Sequence, residues 1–418
     1  MSLRPHHVAS LAAAIERVRG FAAPADAVLR AYFREHKAMG QHDRALVAEG
    51  AFAFLRRMRS LEALAQTSDP RKLALAVLAR DLGHSVRELE DATRAAEREW
   101  LAGFKSRLAM PLDPAVAADL PDWLWQRLGA TYGPARRDAL AKALVVPAPF
   151  DLRANVLKTT RDEALAALAA EGLRVTPTPY APHGLRLAGR PMLARHPWLA
   201  DGRLEVQDEG SQLVAHLVAP KRTDLVVDFC AGAGGKTLAL GALMRSQGRL
   251  SALDVDAKRL ANLKPRLARS GLSNVQPEEI AHERDARVKR LAGKADRVLV
   301  DAPCTGIGTL RRNPDLKWRQ PESAVAELTA KQTAILAAAA TLVKPGGRLV
   351  YATCSVLPDE NDAIVAAFLE GHPQFARANV AADLARAGIP LDTGPELRLL
   401  PHRHGCDGFF AAALERAR

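Results

Sequence analysis

The stretch "LVVDFCAGAGGKT", residues 225–237, decides the fold class of this chain. An apolar run of strand type ends at Asp228 and passes through a glycine-rich turn into a helical pattern. In open α/β sheets such a turn follows the carboxyl end of a strand, where the backbone can approach a ligand closely. The stretch therefore predicts a Rossmann-like α/β domain with a ligand site at this turn.

The alternation of strands and helices continues through the C-terminal half. After Pro220, strand candidates in "DLVVDF", "RLSALDV", "NVQPEEI", "DRVLVDA" and "GRLVYAT" alternate with helical segments. Strands that are apolar nearly throughout are typical of a parallel sheet covered on both faces. The C-terminal "ELRLLPHRHGCDGFFAAAL" supplies two more strand candidates, which we expect to form an antiparallel edge pair.

The remaining sequence predicts two further regions. Residues 1–145 are rich in Ala, Leu, Arg and Glu with helical spacing, which predicts a helical bundle. The proline-rich "VVPAPFD" then marks a boundary. Residues 146–220 mix strand-like pieces with one helix between Thr160 and Gly172, so we expect a small α+β subdomain before a catalytic domain at 221–418.

Composition limits the classes of function. Lys and Arg exceed Asp and Glu by 59 to 47, which gives a formal charge of +12 over 418 residues. This charge favours a polyanionic partner, although basic surfaces also occur in proteins that bind no nucleic acid. The four cysteines form no CxxC pair, which argues against a disulfide framework or a zinc site and favours a reducing cytoplasm. We expect no membrane span and no metal site.

The glycine turn does not suit a phosphate ligand. A P-loop would need glycine at Cys230, and a dinucleotide fingerprint would need a third glycine at Thr237. What remains is Asp228 at the end of the strand, the turn itself, and Asp254 at the end of the next strand. An acid there can accept hydrogen bonds from both ribose hydroxyls, so S-adenosylmethionine fits, whereas a turn used only for packing is the alternative.

Two cysteines follow two neighbouring strand candidates. Cys304, in "DAPCTG" after Asp301, and Cys354, in "ATCS", should both lie at the carboxyl edge of a parallel sheet. Carbon 5 of cytosine becomes nucleophilic when a thiolate adds to carbon 6, and a base must then remove the carbon 5 proton. Two cysteines can share these steps, although each could instead be a small buried hydrophobe. The residues alone do not say which thiol attacks.

A basic segment lies between the two cysteines. The stretch "GTLRRNPDLKWR" interleaves cations with an aromatic ring, which suits phosphate contact and base stacking, or alternatively a solvated loop. The candidate RNA-binding residues are Arg311, Arg312, Lys317, Trp318 and Arg319.

Four motifs together resemble those of the Sun/Nop family of RNA cytosine-5 methyltransferases. They are "DFCAGAGGKT", "ALDVDAKRL", "LVDAPCTGIGTLRRNPDLKW" and "LVYATCSVLPDEN". The N-terminal "HDRALVAEGAFAFLRRMRSLEAL" is similar to the NusB-like domain of the bacterial 16S rRNA methyltransferase B branch. "FDLRANVLKTT" and "VQDEGSQLV" look like its connecting subdomain.

The resemblance implies a role for each matched residue. Cys354 would be the nucleophile at carbon 6, Cys304 would assist release of the methylated base, and Asp301 would hold the cytosine edge and border the cofactor. Asp254 would bind the ribose of S-adenosylmethionine and Asp285 would lie near its adenine. The loop around its methionine end would comprise Cys230, Ala231, Gly232, Ala233, Gly234, Gly235 and Lys236.

The glycine loop of this chain departs from the family pattern, and three functions other than rRNA methylation remain as alternatives. The usual family loop has Ala-Pro where this chain has Gly232 and Ala233, which predicts a more flexible loop. The expected protein is a cytoplasmic monomer without an obligate protein partner that methylates cytosine in small-subunit rRNA. A tRNA methyltransferase is the first rival, and a DNA cytosine methyltransferase, which would not need the thiol of Cys354, is another. A non-catalytic ribosome-assembly factor that binds RNA would need neither thiol.

Overall fold

The computed structural model describes residues 3–189, 191, 193 and 195–418. The chain divides into two compact units, Met1–Pro147 with Thr309–Glu322, and Ala148–Gly308 with Ser323–Arg418. The boundary after Pro147 lies two residues beyond the predicted end of the helical region, residue 145. The return of residues 309–322 to the first unit was not predicted, because nothing in the local sequence indicates which unit a loop joins.

The first unit is helical. The apolar residues of its first helix recur at helical spacing, at Val8, Leu11, Ile15 and Val18, and all are buried. Asp69 caps the fourth helix by accepting from the backbone nitrogens of Arg71 and Lys72. The helices are α1 Pro5–Arg19, α2 Ala25–Glu35, α3 Gln41–Ala65, α4 Pro70–Arg80, α5 Ala95–Arg107, α6 Pro114–Ala117, α7 Asp122–Tyr132, α8 Pro134–Leu144 and, in the returning segment, α15 Leu316–Arg319.

The second unit begins with a small antiparallel sheet of order β2-β3-β1-β4. Its elements are β1 Phe150–Ala154, α9 Arg161–Ala170, β2 Val175–Pro177, β3 Gly184–Leu187, α10 Pro197–Ala200 and β4 Leu204–Val206. Thr160 and Glu163 form a reciprocal capping box at the start of α9, close to the predicted helix start. The strand β3 was not predicted, because the four residues "GLRL" between loops are too few to show a strand pattern.

The large sheet follows. Its strands are β5 Leu225–Asp228, β6 Arg249–Asp254, β7 Val275–Glu279, β8 Ala295–Asp301, β9 Val343–Thr353, β10 Phe375–Arg377, β11 Leu397–Leu399 and β12 Phe409–Arg416. The helices of this part are α11 Glu209–Val218, α12 Gly235–Leu243, α13 Ala257–Ser270, α14 Ala286–Lys289, α16 Ser323–Ala340, α17 Asp362–Gly371, α18 Val380–Arg386 and α19 Pro401–His404.

The strand order is β10-β12-β9-β8-β5-β6-β7, with β11 paired to β12. Strands β5 to β9 pair in parallel, whereas β12 is antiparallel to β9, β10 and β11. The predicted mostly parallel sheet and the antiparallel edge pair are therefore confirmed. The chain moves outward from β5 to β7 and restarts at β8 on the other side of β5, so a crevice opens at the carboxyl ends of these strands.

Both faces of this sheet are buried. Val226 and Leu299 pack into one apolar cluster, whereas their neighbours Val227, Val298 and Val300 pack into another. Successive side chains of a strand point to opposite faces, which explains why the strands read as continuous apolar runs. Among the described residues, the helices are all too short or too polar to cross a membrane.

Candidate functional site

Three aspartates stand at the carboxyl ends of neighbouring parallel strands. Asp228 ends β5, Asp254 ends β6 and Asp301 ends β8. The loop from Phe229 to Gly234 leaves β5 and enters α12 between them. The parallel pairing of these strands therefore brings the predicted acids and the glycine turn to one sheet edge.

Two hydrogen bonds donated by main-chain nitrogens hold the glycine turn to β6. The Gly232 nitrogen donates to Asp254 Oδ2 at 2.7 Å, and the Ala231 nitrogen donates to the Leu253 carbonyl at 2.9 Å. Gly232 and Gly234 have φ of +55° and +81°, a region that favours glycine. The sharp turn thus depends on these two glycines.

Burial dominates the electrostatics of Asp228. Its pKa is raised to about 7, mainly by burial and also by the negative charges of Asp301 and Asp254, against the hydrogen bond from Thr237. Within the described part of the chain, its Oδ1 has no hydrogen-bond donor. The base of the crevice therefore holds a buried acceptor that the protein leaves unsatisfied.

Lys236 and Asp301 form an ion pair of 2.6 Å between Nζ and Oδ2. Burial lowers the pKa of Lys236, but the charge and hydrogen bond of Asp301 outweigh it, so the net shift is upward. The lysine side chain is almost fully buried, which makes a charged pair at this place strong. The pair links the glycine loop to the strand that leads to Cys304.

The thiols of Cys304 and Cys354 meet at this edge. Their sulfur atoms are 3.3 Å apart, although the residues are 50 positions apart in sequence. The hydrogen bond to Cys354 is the largest cause that raises the pKa of Cys304, followed by burial and by the charges of Cys354 and Glu360. The structure therefore brings the two predicted cysteines into direct contact.

Two other predicted cofactor residues make local contacts. Cys230 packs against the apolar cluster beneath the sheet, and burial raises the pKa of its thiol. Asp285 caps α14, where its two oxygens accept from the backbone nitrogens of Arg287 and Ala281. Those hydrogen bonds lower the pKa of Asp285. Each carboxylate oxygen can still accept a further bond.

The candidate RNA-binding residues lie in the other unit, and their placement corrects the prediction for Lys317. Lys317 is 1% exposed and donates to the Arg56 carbonyl at 2.9 Å, so its ammonium faces the protein interior. Trp318 donates its ring N–H to the Leu55 carbonyl at 2.9 Å and packs partly buried on the helical core, and its contact with RNA stays a prediction. These carbonyls lie where α3 kinks at Arg57, so both side chains satisfy helix backbone groups.

Two of the remaining three side chains also bond within that unit. Arg311 is 8% exposed and reaches the Pro147 carbonyl, and Arg319 pairs with Asp315. Arg312 is half-buried, and its backbone N–H donates to the Thr309 carbonyl. The interleaved cations and aromatic ring thus serve mainly to anchor the returning segment, and RNA contact by Arg311, Arg312 and Arg319 stays a prediction.

The buried ammonium of Lys317 should leave a signature in the pH dependence of stability. Burial lowers its pKa to about 7, so the folded state binds fewer protons than the unfolded state between pH 7 and the usual lysine value of 10.5. Its unfavourable contribution is therefore full below pH 7 and fades as the pH rises through this window. The thermal unfolding midpoint of the wild type should rise more between pH 7 and pH 10 than that of Lys317→Met. Parallel curves for the two proteins would contradict the assignment.

Two residues near this edge were not predicted from the sequence. Val255, next to Asp254, is an apolar side chain that is 52% exposed. Arg153, on β1, is buried and donates to the Gly235 carbonyl at 2.9 Å, which ties the small sheet to the start of α12. Val255 could have been predicted, because it is an apolar residue directly after an acid that ends a strand. Nothing in the sequence links Arg153 to a turn 82 residues later.

The chain is similar in sequence to known rRNA methyltransferases. Residues 215–415 match the family described as 16S rRNA methyltransferase RsmB/F, and residues 120–192 match the RsmF/B-like ferredoxin-like domain. The probable ribosomal RNA small subunit methyltransferase B of Synechocystis is 38% identical, over 71% of this chain and 67% of that protein. The Bacillus subtilis protein of the same description is 33% identical, over 77% of this chain and 72% of that protein.

Solved structures share the fold. The crystal structure of PH0851 has a TM-score of 0.80 at 26% identity and covers both chains completely. A methyltransferase homologue from Pyrococcus horikoshii has a TM-score of 0.62 at 26% identity, over 73% of this chain and 98% of that one. NSun6 from the same organism, crystallised with SFG, has a TM-score of 0.63 at 21% identity, over 71% of this chain and 98% of that one, which shows likeness of fold alone.

Proposed function

The chain belongs to the RsmB/F family of 16S rRNA methyltransferases, and from this premise we propose that it methylates carbon 5 of a cytosine in small-subunit rRNA. Family membership makes it an S-adenosylmethionine-dependent rRNA methyltransferase. The choice of carbon 5 is supported by one observation, the two thiols 3.3 Å apart at the edge that carries the glycine turn. Carbon 5 of cytosine is a poor nucleophile and needs activation by covalent addition at carbon 6. A cysteine pair can supply both the nucleophile for this addition and the base that completes the reaction.

The residues present fit S-adenosylmethionine. The loop from Cys230 to Lys236 and the carboxylate of Asp254 would hold it, with Val255 as an apolar surface beside the ribose acid. The unsatisfied Oδ1 of Asp228 at the base of the crevice is an acceptor suited to a cationic ligand. When bound, the cofactor supplies an electrophilic methyl group on a positively charged sulfur.

Cys354 performs the first step in this proposal. Its thiolate adds to carbon 6, a carbon–sulfur bond forms, and the electron pair of the 5,6 double bond moves to carbon 5, which takes the methyl group. Asp301, held by Lys236, would accept a hydrogen bond from the cytosine amino group beside N3 and so orient the ring. Lys236 thereby positions the acid from the glycine loop.

Cys304 performs the second step. It accepts the proton from carbon 5, the carbon–sulfur bond to Cys354 breaks, and the double bond and the free thiolate are restored. While Cys354 is bonded to carbon 6, its hydrogen bond and charge no longer raise the pKa of Cys304. The adduct itself therefore makes Cys304 easier to ionise and more effective as a base.

Methylation of isolated RNA tests this function. Purified protein with labelled S-adenosylmethionine should label small-subunit rRNA, and bisulfite sequencing should find one protected cytosine that is lost when the gene is deleted. Wild-type protein should restore that cytosine and Cys354→Ala should not. Label in tRNA alone would favour a tRNA methyltransferase, and an unchanged cytosine map would favour a non-catalytic RNA-binding factor.

A further inference from the structure

A buried carboxylate lies behind the two thiols. Glu360 is 0% exposed and belongs to a short 3-10 turn, Pro358–Glu360, that follows β9. It accepts from the Thr305 nitrogen at 2.8 Å and from the Thr305 hydroxyl at 2.5 Å, and also from the Ser355 hydroxyl. Thr305 directly follows Cys304 and Ser355 directly follows Cys354. One carboxylate thus bonds the neighbour of each cysteine.

Other contacts hold the carboxylate from further sides. The amide of Gln332, on α16, donates to Glu360 Oε1 at 3.0 Å and to the Pro303 carbonyl at 3.0 Å. The hydroxyl of Tyr351 donates to the Glu360 carbonyl at 2.7 Å. The residues on both sides of Cys304 are therefore connected to Glu360, directly or through Gln332.

Hydrogen bonds surround the Glu360 carboxyl group. They come from the Thr305 nitrogen and hydroxyl, the Ser355 hydroxyl and the Gln332 amide. In the described part of the chain, no ion pair joins Glu360 to a lysine, arginine or histidine, so hydrogen bonds alone offset its desolvation. Its burial therefore depends on the partners that the two cysteine loops provide.

Direct bonds between the two cysteine loops are fewer and include a long one. The Gly308 nitrogen donates to the Cys354 carbonyl at 2.9 Å, and the hydroxyls of Thr305 and Ser355 lie 3.4 Å apart. The Glu360 carboxylate adds a bridge through the residue that follows each cysteine, Thr305 and Ser355, which restricts how the loops can move relative to each other.

We propose that Glu360 is a positioning residue for catalysis, which holds the loops of Cys304 and Cys354 so that their sulfur atoms stay in contact. This inference rests on the proposed two-thiol reaction, since proximity matters only if both thiols act on one base. Misplacement of a reacting group by about 1 Å can cost roughly 10²-fold in rate.

A second consequence is electrostatic. Cys304 is faced by Cys354, Glu360 and Tyr351, and by the backbone of Gly306. The charge of Glu360 is among the causes that raise the pKa of Cys304, after Cys354 and burial. Glu360 thereby helps to keep Cys304 protonated before the adduct forms.

The test compares two variants of this residue. Glu360→Gln keeps the shape and can keep the bonds to the rotatable hydroxyls, whereas Glu360→Leu removes them all. Phenylarsine oxide binds two thiols, with loss of water, only when they are held close together. We expect ~10-fold weaker arsenical binding by Glu360→Leu and binding within about threefold of wild type by Glu360→Gln. Methyl transfer should follow the same order, with kcat lowered and KM for S-adenosylmethionine little changed.

A matched control is Glu209→Leu. Glu209 is as buried as Glu360 and accepts from the Tyr180 and Ala181 nitrogens in the same unit. These hydrogen bonds do not involve either cysteine loop. Glu209→Leu should lose stability without any change in arsenical binding. In the Cys354→Ser background, Glu360→Gln should shift the pH midpoint of Cys304 alkylation downward, a change that a purely structural role would not produce.

Unchanged arsenical binding by Glu360→Leu would overturn the inference, and so would an equal loss in Glu209→Leu. If Glu360→Leu does not fold, Thr305→Val with Ser355→Ala removes two donors and should weaken arsenical binding in the same way. Arsenical binding needs two adjacent thiols and no RNA, so it decides this inference even if RNA methylation at carbon 5 is not found.

Discussion

Cys354→Ala should abolish methyl transfer and form no covalent complex with RNA, whereas Cys304→Ala should form the complex and fail to release it. Without the Cys354 thiol, carbon 5 is not activated, and the rate should fall by a factor on the order of 10³ or more. Without Cys304 the methylated base stays attached to Cys354, because the base that removes the proton is missing. Its turnover should fall roughly 10²- to 10⁴-fold.

The measurement is denaturing gel electrophoresis of each variant after incubation with small-subunit rRNA and S-adenosylmethionine. Cys304→Ala should give a slowly migrating protein–RNA band that nuclease removes, and the double variant should give none. Cys406→Ala is the control for loss of a thiol, because Cys406 is a buried cysteine that packs within an apolar cluster. A band from Cys354→Ala and none from Cys304→Ala would reverse the two roles.

Gly234→Ala should weaken cofactor binding and destabilise the protein. Gly234 has φ of +81°, and a Cβ there would lie 2.1 Å from Cδ1 of the buried Leu263. The left-handed backbone costs an alanine about 1–2 kcal/mol. The overlap with a packed core adds about 1–3 kcal/mol or displaces the loop. Isothermal titration with S-adenosylhomocysteine should show affinity reduced by about tenfold or more.

Gly172→Ala separates the two contributions to that result. Gly172 has nearly the same φ, +80°, but nothing lies within 4 Å of its added Cβ. Its urea unfolding midpoint should fall by the backbone cost alone, and its cofactor affinity should equal that of the wild type. Equal effects of the two substitutions would show that the contact with Leu263 is unimportant and that the turn tolerates a side chain.

Elements with strong periodic patterns were predictable. The strands β5, β6, β8 and β9 are apolar runs that end in an acid or at a cysteine, and parallel pairing requires their ends to share one edge. The sequence alone therefore predicts that Asp254, Asp301, Cys304 and Cys354 share one edge, since the pattern indicates both strand type and direction.

The interpretation of the basic segment was less successful, for a physical reason. Lys317 and Trp318 look the same in sequence whether they face solvent or a helix kink, because an ammonium and an indole N–H can each donate to RNA or to a free carbonyl. Which partner they meet depends on the kink of α3 at Arg57, more than 250 residues earlier in the chain. Long-range partners of this kind leave no local pattern.

The sequence by itself determined the class of fold, the edge at which the chemistry lies and the identity of the two thiols, because periodicity, glycine turns and motif spacing are local properties. Only the tertiary structure decided that the sulfur atoms are 3.3 Å apart, that Lys236 pairs with Asp301, and that Glu360 joins the two cysteine loops. These facts depend on register and packing between segments far apart in the chain. Such distances follow from how the strands pair and not from which residues they contain.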